Sequence, residues 1–173
     1  CVGKTSAELN TDMPEGKVFK HAGWVVSKPI EVDGVVTPYA IRGKYDLLME
    51  HPDGTFGMVD CKFQSNPTDK SKFYGVQLEA YAFALENPAK DAPIKVSTAG
   101  LLVWSPVKVR GNCAGNFGLE LSCNWFPTER SPELITSRLS DFVKMISGAV
   151  PEAKANCDQC KYIDKRVEIL SGI

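Results

Sequence analysis

Long apolar runs are missing from this 173-residue chain: no stretch of about eighteen apolar residues occurs, so no segment reads as a membrane-spanning helix and no membrane contact is expected. No basic segment followed by an apolar one opens the chain, and the expected location is the cytoplasm. An excess of charge of one sign is missing too. Twenty Lys and Arg against 21 Asp and Glu leave a net charge of -1, which excludes the broad basic surface of a protein that coats nucleic acid. Any nucleic-acid contact is confined to a groove, to which local clusters such as Lys70 with Lys72, or Lys161 with Lys165 and Arg166, are the available contributors. The same clusters read equally well as solvated faces. No internal repeat and no low-complexity segment is found.

What is present is an ordinary globular composition, 43% hydrophobic and 24% charged, enough for one good core. Residues 1–21 read as a polar lead-in in which "SAEL" (6–9) is the tail of a truncated N-terminal helix, and because the chain begins at Cys1 rather than Met it is read as a piece of a longer protein. Residues 22–150 form the domain proper, and 151–173 form a tail around a cysteine pair. Within the domain "GWVVSKPIEV" (23–32) predicts a strand, Asp33-Gly34 a turn, and 35–50 a longer β-rich run. "HPDG" (51–54) predicts a hairpin turn, with Pro52 suited to its first position and Gly54 to a left-handed one, and a strand over 55–63 follows. The period then changes to three and four: Tyr74, Gln77, Leu78, Tyr81, Ala82 and Leu85 share one face of a helix over 72–86. Strands over 95–104 and 117–126 and a helix from Ser131 to Gly148 complete the reading.

Charges interrupt two of these strands. A three-residue loop Pro52-Asp53-Gly54 pairs His51 with Thr55, and counting outward brings Asp46 opposite Asp60, with Lys62 on the same face as Asp60. Facing carboxylates repel unless a cation lies between them, and removing one should relieve the metal-free fold. Oxygen ligands of this kind suit Mg²⁺ or Mn²⁺, which keeps several waters and takes a phosphate as a further ligand, so the pattern points to phosphate chemistry. The bland alternative is a bent edge strand with Asp60 and Lys62 on a solvated face.

The pattern resembles the PD-(D/E)xK nuclease superfamily and most closely its RecB-like branch. "GKYD" (43–46) is similar to the Gly-x-x-Asp strand, "VDCKF" (59–63) to the (Asp/Glu)-x-Lys strand, and "YGVQLEAYAFAL" (74–85) to the Gln-x-x-x-Tyr helix. The resemblance covers about residues 22–104. It implies an α/β, restriction-endonuclease-like fold with a central mixed sheet flanked by helices, and metal-dependent hydrolysis of phosphodiester bonds in DNA, single-stranded or at ends, in a phage or repair and recombination setting beside a helicase or recombination partner. It implies that Asp46, Asp60 and the main-chain carbonyl of Cys61 bind the metal, that Lys62 activates water, and that Gln77 and Tyr81 steady the site and the strand being cut. RecB-like enzymes usually add a histidine or glutamate from a helix upstream of the first strand. His21 and Glu8 are the candidates by position, and neither fits well.

"CDQC" (157–160) is half of a tetrahedral metal site. Several RecB-like nucleases, among them those of CRISPR adaptation and of AddAB helicase-nucleases, join the ends of the domain with a [4Fe–4S] cluster, and Cys1, Cys157 and Cys160 resemble that staple. The third downstream cysteine is absent, since position 166 is Arg166. A rival pairing joins Cys113 and Cys123 to the tail pair around Zn²⁺, and free thiols are the remaining reading. Two competing functions therefore stand beside the nuclease: a non-catalytic DNA-binding or scaffolding module of the same fold, and a cysteine- or zinc-based interaction domain.

Overall fold

The computed structural model of the chain describes residues 2–111, 115–150, 152 and 154–172. The elements run α1 (Ser6–Leu9), β1 (Lys17–Val26), β2 (Glu31–Val32), β3 (Val35–Val36), β4 (Arg42–Glu50), β5 (Phe56–Phe63), α2 (Ser71–Glu86), β6 (Val96–Gly111), β7 (Phe117–Thr128), α3 (Pro132–Ser147) and α4 (Asp158–Ser171). Five strands form one sheet in the order β1-β4-β5-β6-β7, in which β5 and β6 are parallel and the other neighbours antiparallel. The parallel pair requires a crossover, and α2 supplies it. This is a mixed central sheet flanked by helices, the α/β architecture expected from the sequence.

The sheet splits the core in two, with alternation along the strands broken in β4 at Asp46, so that Tyr45 and Leu48 share a face. Tyr45, Leu48, Met58, Leu101 and Val103 face Leu78 and Ala82 of α2, while Leu47, Met49, Val59 and Leu102 face Met13 and Val18 of the N-terminal segment. Helix α2 is covered on two sides, by the sheet and by α3, which is why its apolar residues do not fall on one clean stripe. Arg130, at the end of the β7–α3 connection, reaches back across this junction to Glu79 (2.8 Å) and Glu86 (3.3 Å) of α2.

The first strand differs from the sequence expectation. It runs Lys17–Val26 rather than 23–32, because Pro29 has no N–H to give a ladder and the chain leaves the sheet at Ser27. The predicted run over 35–50 is likewise two pieces, β3 and β4, while Asp33 and Gly34 both adopt positive φ (53° and 77°) in the tight turn between β2 and β3. The expected tail contains α4, whose residues are all at least partly exposed. Strands β6 and β7 continue past the sheet as a ribbon, exposed from Pro106 to Gly111.

Candidate active site

The β4–β5 hairpin sets the site. Gly54 turns at φ 79°, the His51 N–H donates to the Thr55 carbonyl (2.8 Å), and the register runs Glu50 opposite Phe56 to Leu47 opposite Val59. The ladder stops there, one residue short of Asp46 and Asp60. Asp46 replaces it: the Cys61 N–H donates to Asp46 Oδ2 at 2.8 Å. On the other side of β4 the regular pairing with β1 also lapses, since Ala22, which would face Asp46, has a positive φ of 51°. Asp46 thus lies where the sheet is locally interrupted on both sides.

Asp60 is 5% exposed. Its Oδ2 lies 2.6 Å from Lys62 Nζ, so a buried carboxylate is paired with a part-buried ammonium. Burial raises the Asp60 carboxyl above its ordinary range, with the Asp46 charge adding to the shift and Lys62 opposing it. Burial works against the charge of Lys62 as well, but the pairing with Asp60 outweighs it and holds the ammonium above its usual value. Lys62 Nζ also stands 4.6 Å from the centre of the Tyr74 ring, a cation–π contact.

Helix α2 lies over this pair. Tyr74 meets Lys62 at one end, and at the other the Tyr81 ring fills the space beside Gly43, where an added Cβ would come within 2.2 Å of it. The glycine of the Gly-x-x-Asp pattern is there to admit the tyrosine. Gln77, one turn from each, donates its amide N–H to Tyr81 Oη (3.2 Å). Tyr74 carries no role in the sequence reading, although its spacing from Gln77 and Tyr81 along one helix face is the signal that would have found it.

A buried carboxylate next to a second carboxylate fits a divalent cation. Among the described residues no third His, Cys, Asp or Glu completes a cluster. Glu8 is not available: its carboxylate accepts the Thr5 N–H (2.8 Å) in a capping box and pairs with Lys4 (2.7 Å). His21 sits exposed on β1 opposite Leu47. A cleft of about 550 Å³, lined by Thr5, Glu15, Lys17, Glu50 and His51, lies at the hairpin end of β4, away from the acids.

The cysteines assemble no such site among the described residues. Cys61 packs against the second core, and its thiol is pushed up to about 12 by burial and then by Asp46 and Asp60. Cys123 belongs to that core too, its thiol donating to the Leu9 carbonyl (3.7 Å). Cys157 caps α4, accepting the Cys160 N–H at 3.4 Å, which lowers its thiol pKa together with the Cys160 side chain. Cys1 and Cys113, on which the staple and its rival depend, lie outside the described residues.

The sequence model of the PD-(D/E)XK nuclease superfamily matches residues 9–164. The chain belongs to this superfamily. No curated protein matches the sequence significantly. Eight chains of solved structures match; one, from the crystal structure of SSO0001, is 14% identical with a TM-score of 0.46, over 76% of this chain and 52% of that one. The chain therefore spans about half the length of that protein. As a PD-(D/E)XK protein it carries the restriction-endonuclease-like fold, and members of the superfamily are typically nucleases that use divalent metals and act on DNA. Among the described residues, no helix is long and apolar enough to cross a membrane.

Proposed function

We propose that the chain is a Mg²⁺- or Mn²⁺-dependent deoxyribonuclease of the RecB-like type, cutting single strands or ends in a repair, recombination or phage setting, with a helicase or recombination protein as partner. The observation that carries this reading is the buried carboxylate of Asp60, paired with Lys62 at 2.6 Å and lying beside Asp46 under helix α2. Asp46, Asp60 and the Cys61 carbonyl are the residues that would hold the cation, which when bound supplies an acidic water and neutralises charge on the phosphate. Lys62, beside Asp60, is the group that would orient or deprotonate the water and offer positive charge to the phosphoryl oxygens. Gln77 and Tyr81 keep α2 in place above the acids and steady the strand being cut.

The test is cleavage of single-stranded and duplex DNA with Mg²⁺ or Mn²⁺. Activity should vanish with EDTA, in Asp60→Asn and in Lys62→Ala, and fall without vanishing in Gln77→Ala; variants that cut as well as the parent would end the reading. The absence of a third ligand among the described residues favours one second reading, a non-catalytic DNA-binding module of the same fold. A parent protein that binds DNA and never cuts it would establish that reading.

A further inference from the structure

Phe73, in the first turn of α2, is 78% exposed, the most exposed aromatic among the described residues. Leaving such a ring in water forgoes roughly 1.5–3 kcal/mol of burial, so its position calls for a reason. Its surroundings supply one. The Phe73 ring meets the Tyr74 ring edge-on, centroids 5.1 Å apart and planes at 85°, and the Tyr74 ring in turn carries Lys62 Nζ at 4.6 Å. Two ring-sized steps therefore lead from the Lys62–Asp60 pair to a flat apolar surface open to solvent. The edge contact with Tyr74 holds the Phe73 ring by its side and leaves it accessible. Lys70 and Lys72, both exposed, flank it, while the one acid at this end, Asp69, is engaged by the Ser71 N–H (2.7 Å).

We infer that Phe73 is a stacking platform for an unpaired nucleobase one or two nucleotides from the phosphate held at Asp60 and Lys62, with Lys70 and Lys72 holding the adjoining backbone. The inference rests on the nuclease reading for the position of that phosphate. Its chemistry selects the substrate: every base has a π-face, and a base in single-stranded DNA, or at a frayed end, offers it to a ring, whereas a base inside a duplex is already stacked on its neighbours. A protein-docking role for the same ring is the alternative, and it gives no preference between DNA forms.

The experiment measures binding of a short single strand containing 2-aminopurine, and of the corresponding duplex, in Ca²⁺ at fixed salt. Phe73→Ala and Phe73→Leu should each weaken single-strand binding by roughly 5- to 100-fold, the range for one lost base stack, and abolish the change in 2-aminopurine fluorescence. Phe73→Trp should keep both within about twofold, and duplex binding should move by less than about twofold in all three. The ring is exposed, so its replacement should leave the fold intact, and unchanged melting temperatures check this. Equal weakening on both DNA forms, no weakening on either, or a parent that does not bind single strands overturns the inference. The two readings fail separately: a parent that binds and stacks the strand but never cuts it retains the platform and loses the nuclease, while a parent that cuts and a Phe73→Ala variant that binds normally does the reverse.

Discussion

Removing the Asp46 carboxylate takes away a charge that repels Asp60, but it also strips the Cys61 N–H of its acceptor. The second effect is the larger, since an orphaned, part-buried amide costs about 1–3 kcal/mol. Asp46→Ala should therefore lower the melting temperature of the metal-free protein by roughly 2–10 °C, contrary to the relief that repulsion alone suggests, while Asp46→Asn, which keeps an acceptor, should stay near the parent. Both should lose cleavage. Asp60 behaves differently because its partner is a charge: Asp60→Asn leaves the part-buried Lys62 ammonium without its counter-ion, so the metal-free protein should melt below the parent, and Asp60→Asn with Lys62→Met should recover part of that loss. Its raised pKa also fixes a sign. The folded state binds the Asp60 proton more tightly than the unfolded chain does, so the stability from this group is present below the ordinary carboxylate range and is lost as pH rises through the raised value. Cation binding runs the other way, because a protonated carboxyl is no ligand. Affinity for Mn²⁺ should fall as pH drops through that same raised value, with proton release on binding that calorimetry in buffers of different ionisation enthalpy will detect, and Asp60→Asn should remove that dependence. The hairpin register from Glu50–Phe56 to Leu47–Val59 was readable from the sequence because a three-residue turn dictates a count. The Cys61 N–H bond to Asp46 was not, because it depends on the strands parting at that step.

The helices and strands were legible where a period was strong and a punctuating residue stood at the end, as for α2, α3 and the "HPDG" turn. Strand β1 was misplaced because Val18 is the one buried residue among its first six, and the apolar run "GWVV" drew the prediction toward Pro29. The junction of α2 with α3 was invisible for another reason: Glu79 and Arg130 lie far apart in sequence, and each alone reads as a surface charge. In the fold Glu79 is 3% exposed, accepting from Arg130 Nε (2.8 Å) and the Ser131 N–H (2.9 Å), and Arg130 donates as well to Glu86 and the Val96 carbonyl. Breaking one side of such a buried pair strands the other charge, at a cost of about 3–5 kcal/mol. Arg130→Met should lower the melting temperature by roughly 6–20 °C, and adding Glu79→Gln should restore a large part of it. Because α2 carries Tyr74, Gln77 and Tyr81, the single variant should also reduce any nuclease activity at temperatures well below its melting point.

Across the whole molecule, stability is concentrated in the sheet and its two helices. Helix α4 has no buried residue, with Ile169 and Leu170 74% and 77% exposed, so deleting residues 155–173 should leave the melting temperature within about 2 °C of the parent; a larger drop, or loss of a bound metal with it, would show that Cys157 and Cys160 do tie the tail to the domain. The parallel pairing of β5 with β6 has a further consequence for how the protein is made. Every residue of the proposed site lies between 43 and 81, whereas Leu101, Leu102 and Val103, fully buried along β5, follow some twenty residues later. During synthesis at about 5–20 residues per second, the hairpin and α2 leave the ribosome first, with Asp46 and Asp60 still hydrated and little drawn to a cation. Asp60 is buried only once β6 lies along β5, so the burial of the proposed site depends on residues made after all of its own.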